Sequence, residues 1–280
     1  MLKKFKKLSL ILLLLPNLLL ASILVKNTPL PGGVAVIDFT SNHSSPKAFY
    51  NKIPLYVQQL KNQRWQVLIG IPLWEKLGTK TITIQDFSSR EFAFKVKPAK
   101  GSYAEQHIKL KGKKKKYIKP NLAHIDRIKS ERPILTNARK TFSPQTLSNG
   151  AFIRPVDGIT TSTFGLKRFF NGVARRPHTG IDYAGDTGTL IKSPADGKII
   201  LVGDYFFNGK AIFIDHGQGL ISVYIHLNKH LVKLGQRIKQ GDSIGTIGQT
   251  GRATGPHLHW GIYLNQTVIN PNLLLQAARK

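Results

Sequence analysis

The sequence predicts a mainly all-β protein: an N-terminal β-sandwich, a short helical connector and a C-terminal antiparallel β domain. Three observations carry this reading. Short β-rich runs parted by turn residues fill residues 25–100, and a second, glycine-punctuated series of such runs begins near Phe152. Between them lies a lysine-rich stretch whose one apolar stripe has helical spacing. The expected divisions are 1–21, 22–100, 101–150 and 151–280.

The opening residues read as an export signal. Lys3, Lys4, Lys6 and Lys7 precede the nearly all-apolar run Leu8 to Leu20, and Ala21-Ser22 follows. A basic start, an apolar run and a small residue make a secretory signal peptide. Leu19 stands where a small residue is preferred, so an uncleaved N-terminal membrane anchor is the alternative. Either way the rest of the chain is expected outside the cytoplasm, in the periplasm or associated with the cell envelope.

In the first β region, strands are expected at Val34 to Phe39, Ile53 to Val57, Trp65 to Ile69, Thr81 to Ile84 and Phe92 to Val96. Pro31-Gly32-Gly33 and Leu77-Gly78-Thr79 supply turns. No grouping of chemically active residues falls here, and His43 in its polar loop reads as solvated. In the connector, Lys113 to Lys116 reads as a solvated loop. Asn121 is placed to cap a helix carrying Leu122, Ile125 and Ile128 on one stripe, and Pro133 is expected to end or kink it. His124 reads as a surface residue. In the last region, Ile199 to Val202, Ala211 to Ile214, Leu220 to Leu227, Ser243 to Ile247 and His257 to Tyr263 read as strands. Asp215 to Gly219 forms a turn between two of them.

Composition narrows the chemistry. Forty-two Lys+Arg against 14 Asp+Glu give a net charge of +28, which implies an anionic partner. Export removes most of the case for nucleic acid and leaves an anionic cell-envelope surface or wall polymer. There is no cysteine, so any metal must be held by His, Asp or Glu. The last glutamate is Glu131, which excludes a His-Glu-x-x-His site and paired-glutamate chemistry in the final domain.

Six of the nine histidines follow residue 151, and three pieces stand out. His178-Thr179-Gly180-Ile181-Asp182 is a His-x-x-x-Asp. Tyr224-Ile225-His226-Leu227 ends a strand in which Ser222, Tyr224 and His226 share one face. His257-Leu258-His259 puts two imidazoles on one strand face, opposite Leu258, Trp260 and Ile262. A catalytic zinc takes three protein ligands and keeps one open position. The four histidines and the aspartate of these pieces meet that need and leave one or two imidazoles over for proton handling. Each piece alone is equally well a surface strand or turn; together they point to a metal site. His216 and His230 read as structural or exposed, and Arg175 and Arg176 as either an exposed basic loop or a clamp for a carboxylate.

These pieces also carry a resemblance. His178 to Asp182, Ile225-His226-Leu227 and Gly248-Gln249-Thr250-Gly251 through Gly255-Pro256-His257-Leu258-His259 resemble, in order, the signatures of lysostaphin/LytM-type zinc metalloendopeptidases. So do Ser193 to Ile199 and Ile214 to Gly217, and the likeness covers about Pro155 to Pro271. The first domain and connector more loosely resemble the N-terminal region of Gram-negative members. The resemblance implies an active-site groove holding Zn2+ on His178, Asp182 and His259. It implies His226 and His257 as an unliganded catalytic pair that orients water and stabilises an oxyanion. The substrate it implies is the stem peptides of peptidoglycan, cut at their cross-links in cell-wall remodelling. Lys210 stands where family members often carry asparagine, which bears on contacts in the groove and not on the metal.

Other readings make different demands. A lipoyl- or biotin-carrier barrel would show a modifiable lysine in a hairpin, where this chain has Asp215-His216-Gly217 and Tyr224-Ile225-His226. A non-catalytic wall-binding protein, or an activator of another hydrolase, would typically lack metal ligands. The first domain or connector is expected to cover part of the groove.

Overall fold

The computed structural model describes residues 23, 25–99, 103–148 and 152–275. The expected signal or anchor at 1–21 lies outside the described residues. Among those described, no helix is long and apolar enough to cross a membrane.

The N-terminal region is two antiparallel sheets face to face. One orders Val34–Thr40, Arg64–Gly70 and Tyr56–Gln59; the other orders Ile53–Pro54, Lys47–Tyr50, Gly78–Gln85 and Ser89–Val96. Phe39, Val67 and Ile69 from the first meet Ala48, Ile82, Ile84 and Val96 from the second in one buried cluster. The run Ile53 to Val57, expected as one strand, is divided between the two sheets. Pro54 has no N–H to extend the ladder on its own sheet. Beyond it Leu55 N donates to Ala48 O, and Tyr56–Gln59 pairs with the other sheet.

The connector is more than a linker. Glu105–Ile108 pairs in parallel with Lys167–Phe170 of the last domain. Its residues do not alternate in hydrophobicity, which is why the sequence showed no strand there. The lysine run forms a 3₁₀ turn, Gly112–Tyr117, and Lys114 is not free: its Nζ donates to the carbonyls of Gln249 at 3.1 Å and Gly251 at 3.2 Å. The helix runs Leu122–Arg139 with Asn121 Oδ1 accepting from His124 N, as its cap chemistry predicts.

Three expectations for this helix need correcting. Leu122 is 80% exposed, while Ile128 of the expected stripe does dock, joined by Leu135 and Ala138; His124, expected at the surface, lies over Phe206, and Glu131 accepts from Phe206 N. Pro133 does not end the helix, because contacts on both sides of it hold the helix to the sheet while Pro133 itself faces solvent.

The last domain is built on an eight-stranded antiparallel sheet. Its path runs Arg237–Ile238, Gly197–Tyr205, Gly209–Asp215, Leu220–Leu227, His257–Leu264, Ile181–Ala184 and Thr160–Ser162, with Thr267–Ile269 paired to His257–Leu264. A small sheet of Leu190–Lys192, Ser243–Thr246 and Lys229–His230 closes over one face. Ile191 and Ile244 from it, with Ile247 just beyond its middle strand, meet Ile199, Ile212, Ile214, Tyr224, Leu258 and Trp260 in the main core. That core also takes in Val34, Tyr56 and Leu68, so the two β regions are packed as one body. Gln218, in the turn after Gly209–Asp215, reinforces the join: its side-chain amide accepts from Val57 N and donates to Val57 O, both at 2.9 Å.

Candidate metal centre

The site is assembled where Ile181–Ala184 runs antiparallel to His257–Leu264. Asp182 is directly opposite His259 in that ladder, so their side chains share one face. His178 reaches the same point from the turn before the strand, held by His178 N to Leu166 O and Gly165 N to His178 O. Between His178 and Asp182 the chain passes close to the sheet at Gly180. A Cβ there would lie 2.3 Å from Trp260 O and 2.8 Å from His259 Nε2, so only glycine fits.

Three donor atoms converge. His178 Nε2 is 2.9 Å from Asp182 Oδ1 and 2.9 Å from His259 Nδ1, and those last two are 2.8 Å apart. All three residues are buried. His178 Nδ1 is 2.7 Å from the Thr163 carbonyl, which can only accept. The ring proton therefore sits on Nδ1, and Nε2 turns a lone pair into the cluster. The His178 lone pair, the Asp182 carboxylate and the His259 imidazole, packed this closely, can share a cation. An N, N, O set with no sulfur and an open side fits a four-coordinate zinc. Among the described residues this is the group whose ligand atoms are placed to share one ion.

Arg168 completes the aspartate's surroundings. Its Nη2 donates to Asp182 Oδ2 at 2.6 Å, while Nε donates to Gln106 Oε1 at 2.8 Å. Gln106 belongs to the connector strand and also donates to Ser162 Oγ. Burial lowers His259 to about 4 against the pull of Asp182, so its imidazole is neutral at neutral pH.

His226 and His257 sit beside this cluster. The His226 ring centroid is 5.0 Å from that of His257 and 6.3 Å from that of His259. Strand alternation places His226 with Ser222 and Tyr224, and the structure corrects this. Tyr224 pairs with Trp260 over the core and Ile225 with His259, so simple alternation would bury His226 on the Trp260 face. Instead His226 has φ of +68°, a left-handed conformation that breaks the alternation and turns the ring towards His257.

Both rings have their tautomer fixed by backbone carbonyls. His226 Nδ1 donates to Thr250 O at 2.8 Å and His257 Nδ1 to Gly255 O at 2.9 Å, leaving both Nε2 atoms as acceptors in the neutral form. Burial, and then His257 and His259, push His226 well below the ordinary histidine range.

A groove runs past the cluster, lined by Asp182, His226, His257, Arg168, Arg252 and the connector's Gln106. Other residues flagged in the sequence lie elsewhere. His216 is fully buried, donating from Nδ1 to Asp196 O and accepting at Nε2 from Ser222. His230 lies on the small sheet. Arg175 is tied to Ile118 O and Arg176 is exposed. Lys210 donates from Nζ to Asn228 O. Three residues of the groove escaped the sequence reading: Gln106, Arg168 and Arg252. Nothing in the local patterns of Gln106 and Arg168 distinguishes them from other polar residues on basic strands and loops. Only Arg252 had a signal, its position inside the stretch between Gly248 and His259.

Comparison with known proteins shows the family. The family model for peptidase family M23 matches residues 176–271, and that for the peptidase family M23 N-terminal domain matches residues 27–99. The chain is 44% identical over 124 residues to the peptidoglycan DD-endopeptidase ShyC of Vibrio cholerae, covering 43% of this chain and 29% of that protein. It is 42% identical over 96 residues to the DD-carboxypeptidase/endopeptidase Mpg of Neisseria meningitidis, covering 34% of this chain and 22% of that one. The chain thus spans less than a third of the length of these curated relatives. A crystal structure from Pseudomonas aeruginosa assigned to peptidase M23 superposes with a TM-score of 0.75 at 40% identity, covering 89% of this chain and 96% of its own. With both of its β regions matched in order and nearly its whole length shared with that structure, the chain belongs to peptidase family M23.

Proposed function

We propose that this protein is a zinc endopeptidase that hydrolyses the peptide cross-links of bacterial peptidoglycan. The observation that carries the reading is the convergence of His178 Nε2, Asp182 Oδ1 and His259 Nδ1 at 2.8–2.9 Å beside two further imidazoles. His178, Asp182 and His259 are the ligands, and His226 and His257 are the catalytic pair. Bound there, zinc supplies Lewis acidity to water and to the scissile carbonyl.

The protein's own residues do the rest. With Nδ1 protons committed to Thr250 O and Gly255 O, His226 and His257 present Nε2 lone pairs to the groove. Either can take a proton from the attacking water, and the resulting imidazolium becomes a donor to the oxyanion and then to the leaving amine. Burial keeps His226 neutral at rest, so its Nε2 lone pair is free. Arg168 fixes the Asp182 carboxylate so that one oxygen faces the ligand cluster.

Two of the relatives are named a peptidoglycan DD-endopeptidase and a DD-carboxypeptidase/endopeptidase, which supports a cross-link with D-configured centres as the substrate. For this chain the corresponding link is that from D-alanine to diaminopimelate. The protein works in the periplasm or on the cell envelope, delivered by its N-terminal signal or held by it as an anchor, with its +28 charge directed to that anionic surface. The test is zinc stoichiometry together with digestion of purified cross-linked peptidoglycan by wild type and His259→Ala. Wild type should hold one zinc and release new peptide ends, and the variant should do neither. If wild type also lacks zinc and releases nothing, the protein is a wall-binding or activating member and not an enzyme.

A further inference from the structure

Arg252 is a cation in the groove without an anion. Its guanidinium carbon lies 4.5 Å from the centroid of Phe170 and 5.0 Å from that of Phe207. The two rings cover it and leave its N–H edge as the polar direction. Among the described residues, no carboxylate pairs with Arg252 and no acceptor takes a hydrogen bond from its side chain. Of the arginines around it, Arg168 is engaged by Asp182 and Gln106, and Arg175 by Ile118 O.

The backbone beneath Arg252 is firmly placed. Arg252 N donates to Phe207 O at 2.9 Å, and a Cβ on neighbouring Gly251 (φ +66°) would lie 2.3 Å from Gly209 N. One residue further back, Thr250 O holds His226. The loop that carries Arg252 therefore also sets a catalytic imidazole, and both side chains line the groove beside Asp182 and His257. Burial and the charges of Arg168 and Arg175 lower the Arg252 guanidinium to about 10. A cation so disfavoured gains when an anion enters.

We propose that Arg252 reads a carboxylate of the substrate, the one on the carbon that bears the scissile nitrogen, and so restricts the enzyme to acidic cross-links. This rests on the endopeptidase reading above. In a diaminopimelate-type cross-link the acylated amine stands on a carbon with a free carboxylate, one bond from the reacting amide. A glycine bridge, or a lysine side-chain amine, offers no such group. A stacked guanidinium is suited to this role because its planar fork meets a carboxylate with two parallel hydrogen bonds.

The test uses two cross-linked muropeptide dimers, one with that carboxylate free and one with it amidated. It also uses the corresponding amine-bearing product peptides, whose binding to the intact enzyme is read by titration calorimetry. Charge-assisted hydrogen bonds contribute about 1.5–3 kcal/mol, or roughly 10- to 100-fold. Wild type should favour the acid over the amide by at least about tenfold in kcat/KM and in product affinity. In Arg252→Gln the acid-to-amide ratio should fall to about twofold or less; Arg252→Lys, which keeps the charge without the fork, should fall between. A ratio that survives in Arg252→Gln, or its absence in wild type, overturns the proposal. If wild type cleaves neither dimer yet binds the acid product more tightly through Arg252, the carboxylate site stands and the endopeptidase reading fails. If it cleaves both equally and binds both products equally, the reverse holds.

Discussion

Arg168 Nη2 lies 2.6 Å from Asp182 Oδ2, on the carboxylate oxygen opposite the one that faces His178 and His259. The aspartate is thus divided, one oxygen for the ligand cluster and one for a guanidinium. Arg168 is in turn held by Gln106 of the connector, so a residue outside the last domain steadies the ligand set. Arg168→Ala should weaken zinc binding by about 10- to 100-fold, the usual cost of losing a partner behind a ligand. Gln106→Leu should weaken it less. Competition with a chromogenic chelator measures both, and unchanged affinity in Arg168→Ala would show that Asp182 is oriented without it.

The two imidazoles of the strand His257–Leu264 should separate by experiment. His259→Ala removes a converging donor and should lose both zinc and activity. His257→Ala and His226→Ala should keep zinc at wild-type stoichiometry while kcat drops about 100- to 10,000-fold, the range for loss of a general acid–base group. Metal analysis beside single-turnover kinetics distinguishes the classes. A His226→Ala protein without zinc would move His226 into the ligand set.

His216 predicts a pH dependence of stability unconnected with the metal. Burial lowers it to about 4, its Nδ1–H bound to Asp196 O and its Nε2 accepting from Ser222. Unfolded, a histidine titrates near 6.5, so below that pH the unfolded chain binds the extra proton and the folded one does not. Stability is therefore full above about pH 6.5 and falls as the pH drops towards 4, by about 2 kcal/mol between pH 7 and pH 5. Urea unfolding at the two pH values should show at least that loss in wild type. In His216→Gln the whole curve should be lower but the difference smaller.

Gly180 tests how tightly the ligand strand approaches its neighbour. The Cβ of Gly180→Ala would meet a main-chain oxygen, Trp260 O, at 2.3 Å, and His259 Nε2 at 2.8 Å. Neither the ladder nor the ring can yield without moving His259 away from Asp182. The variant should lose zinc affinity by about tenfold or more, as expected when a ligand's surroundings are disturbed. Chelator competition decides this, and retained affinity would mean that the strand shifts as a unit.

What the sequence made legible follows from which signals are local. His178, Asp182, His226, His257 and His259 could be singled out because the residue types are scarce, with no cysteine anywhere and no glutamate beyond Glu131. The longer strands of both β regions were legible from alternation and turn residues, whereas short ones such as Lys47–Tyr50, Lys167–Phe170, Ile181–Ala184 and Leu190–Lys192 were not. The strand Glu105–Ile108 was not, because it pairs on a sheet edge with polar residues and shows no period. The true face of His226 was hidden because a single left-handed residue reverses the alternation on which the reading depends. Arg168 and Gln106 were hidden for another reason: their roles exist only in partners 14 and 62 positions away.

The same long-range pairing bears on how far the last domain stands alone. Val34, Tyr56 and Leu68 are buried in the core that Trp260 and Ile262 occupy, and Gln218 caps both polar groups of the Val57 backbone. Removing the first 151 residues would bare that face, delete the strand paired to Lys167–Phe170 and take Gln106 from Arg168. Each large apolar side chain left without its cover forfeits about 1.5–3 kcal/mol, and a few suffice to spend most of a domain's net stability. The fragment Phe152–Lys280 is therefore expected to melt well below the full chain and to bind a hydrophobic dye at temperatures where the full chain does not. Its zinc affinity should fall at least as far as that of the Gln106→Leu protein, since the fragment lacks that support as well. Thermal melts and chelator competition on the two proteins check both parts. Equal melting points and equal affinities would mean that the N-terminal region and connector do not support the site.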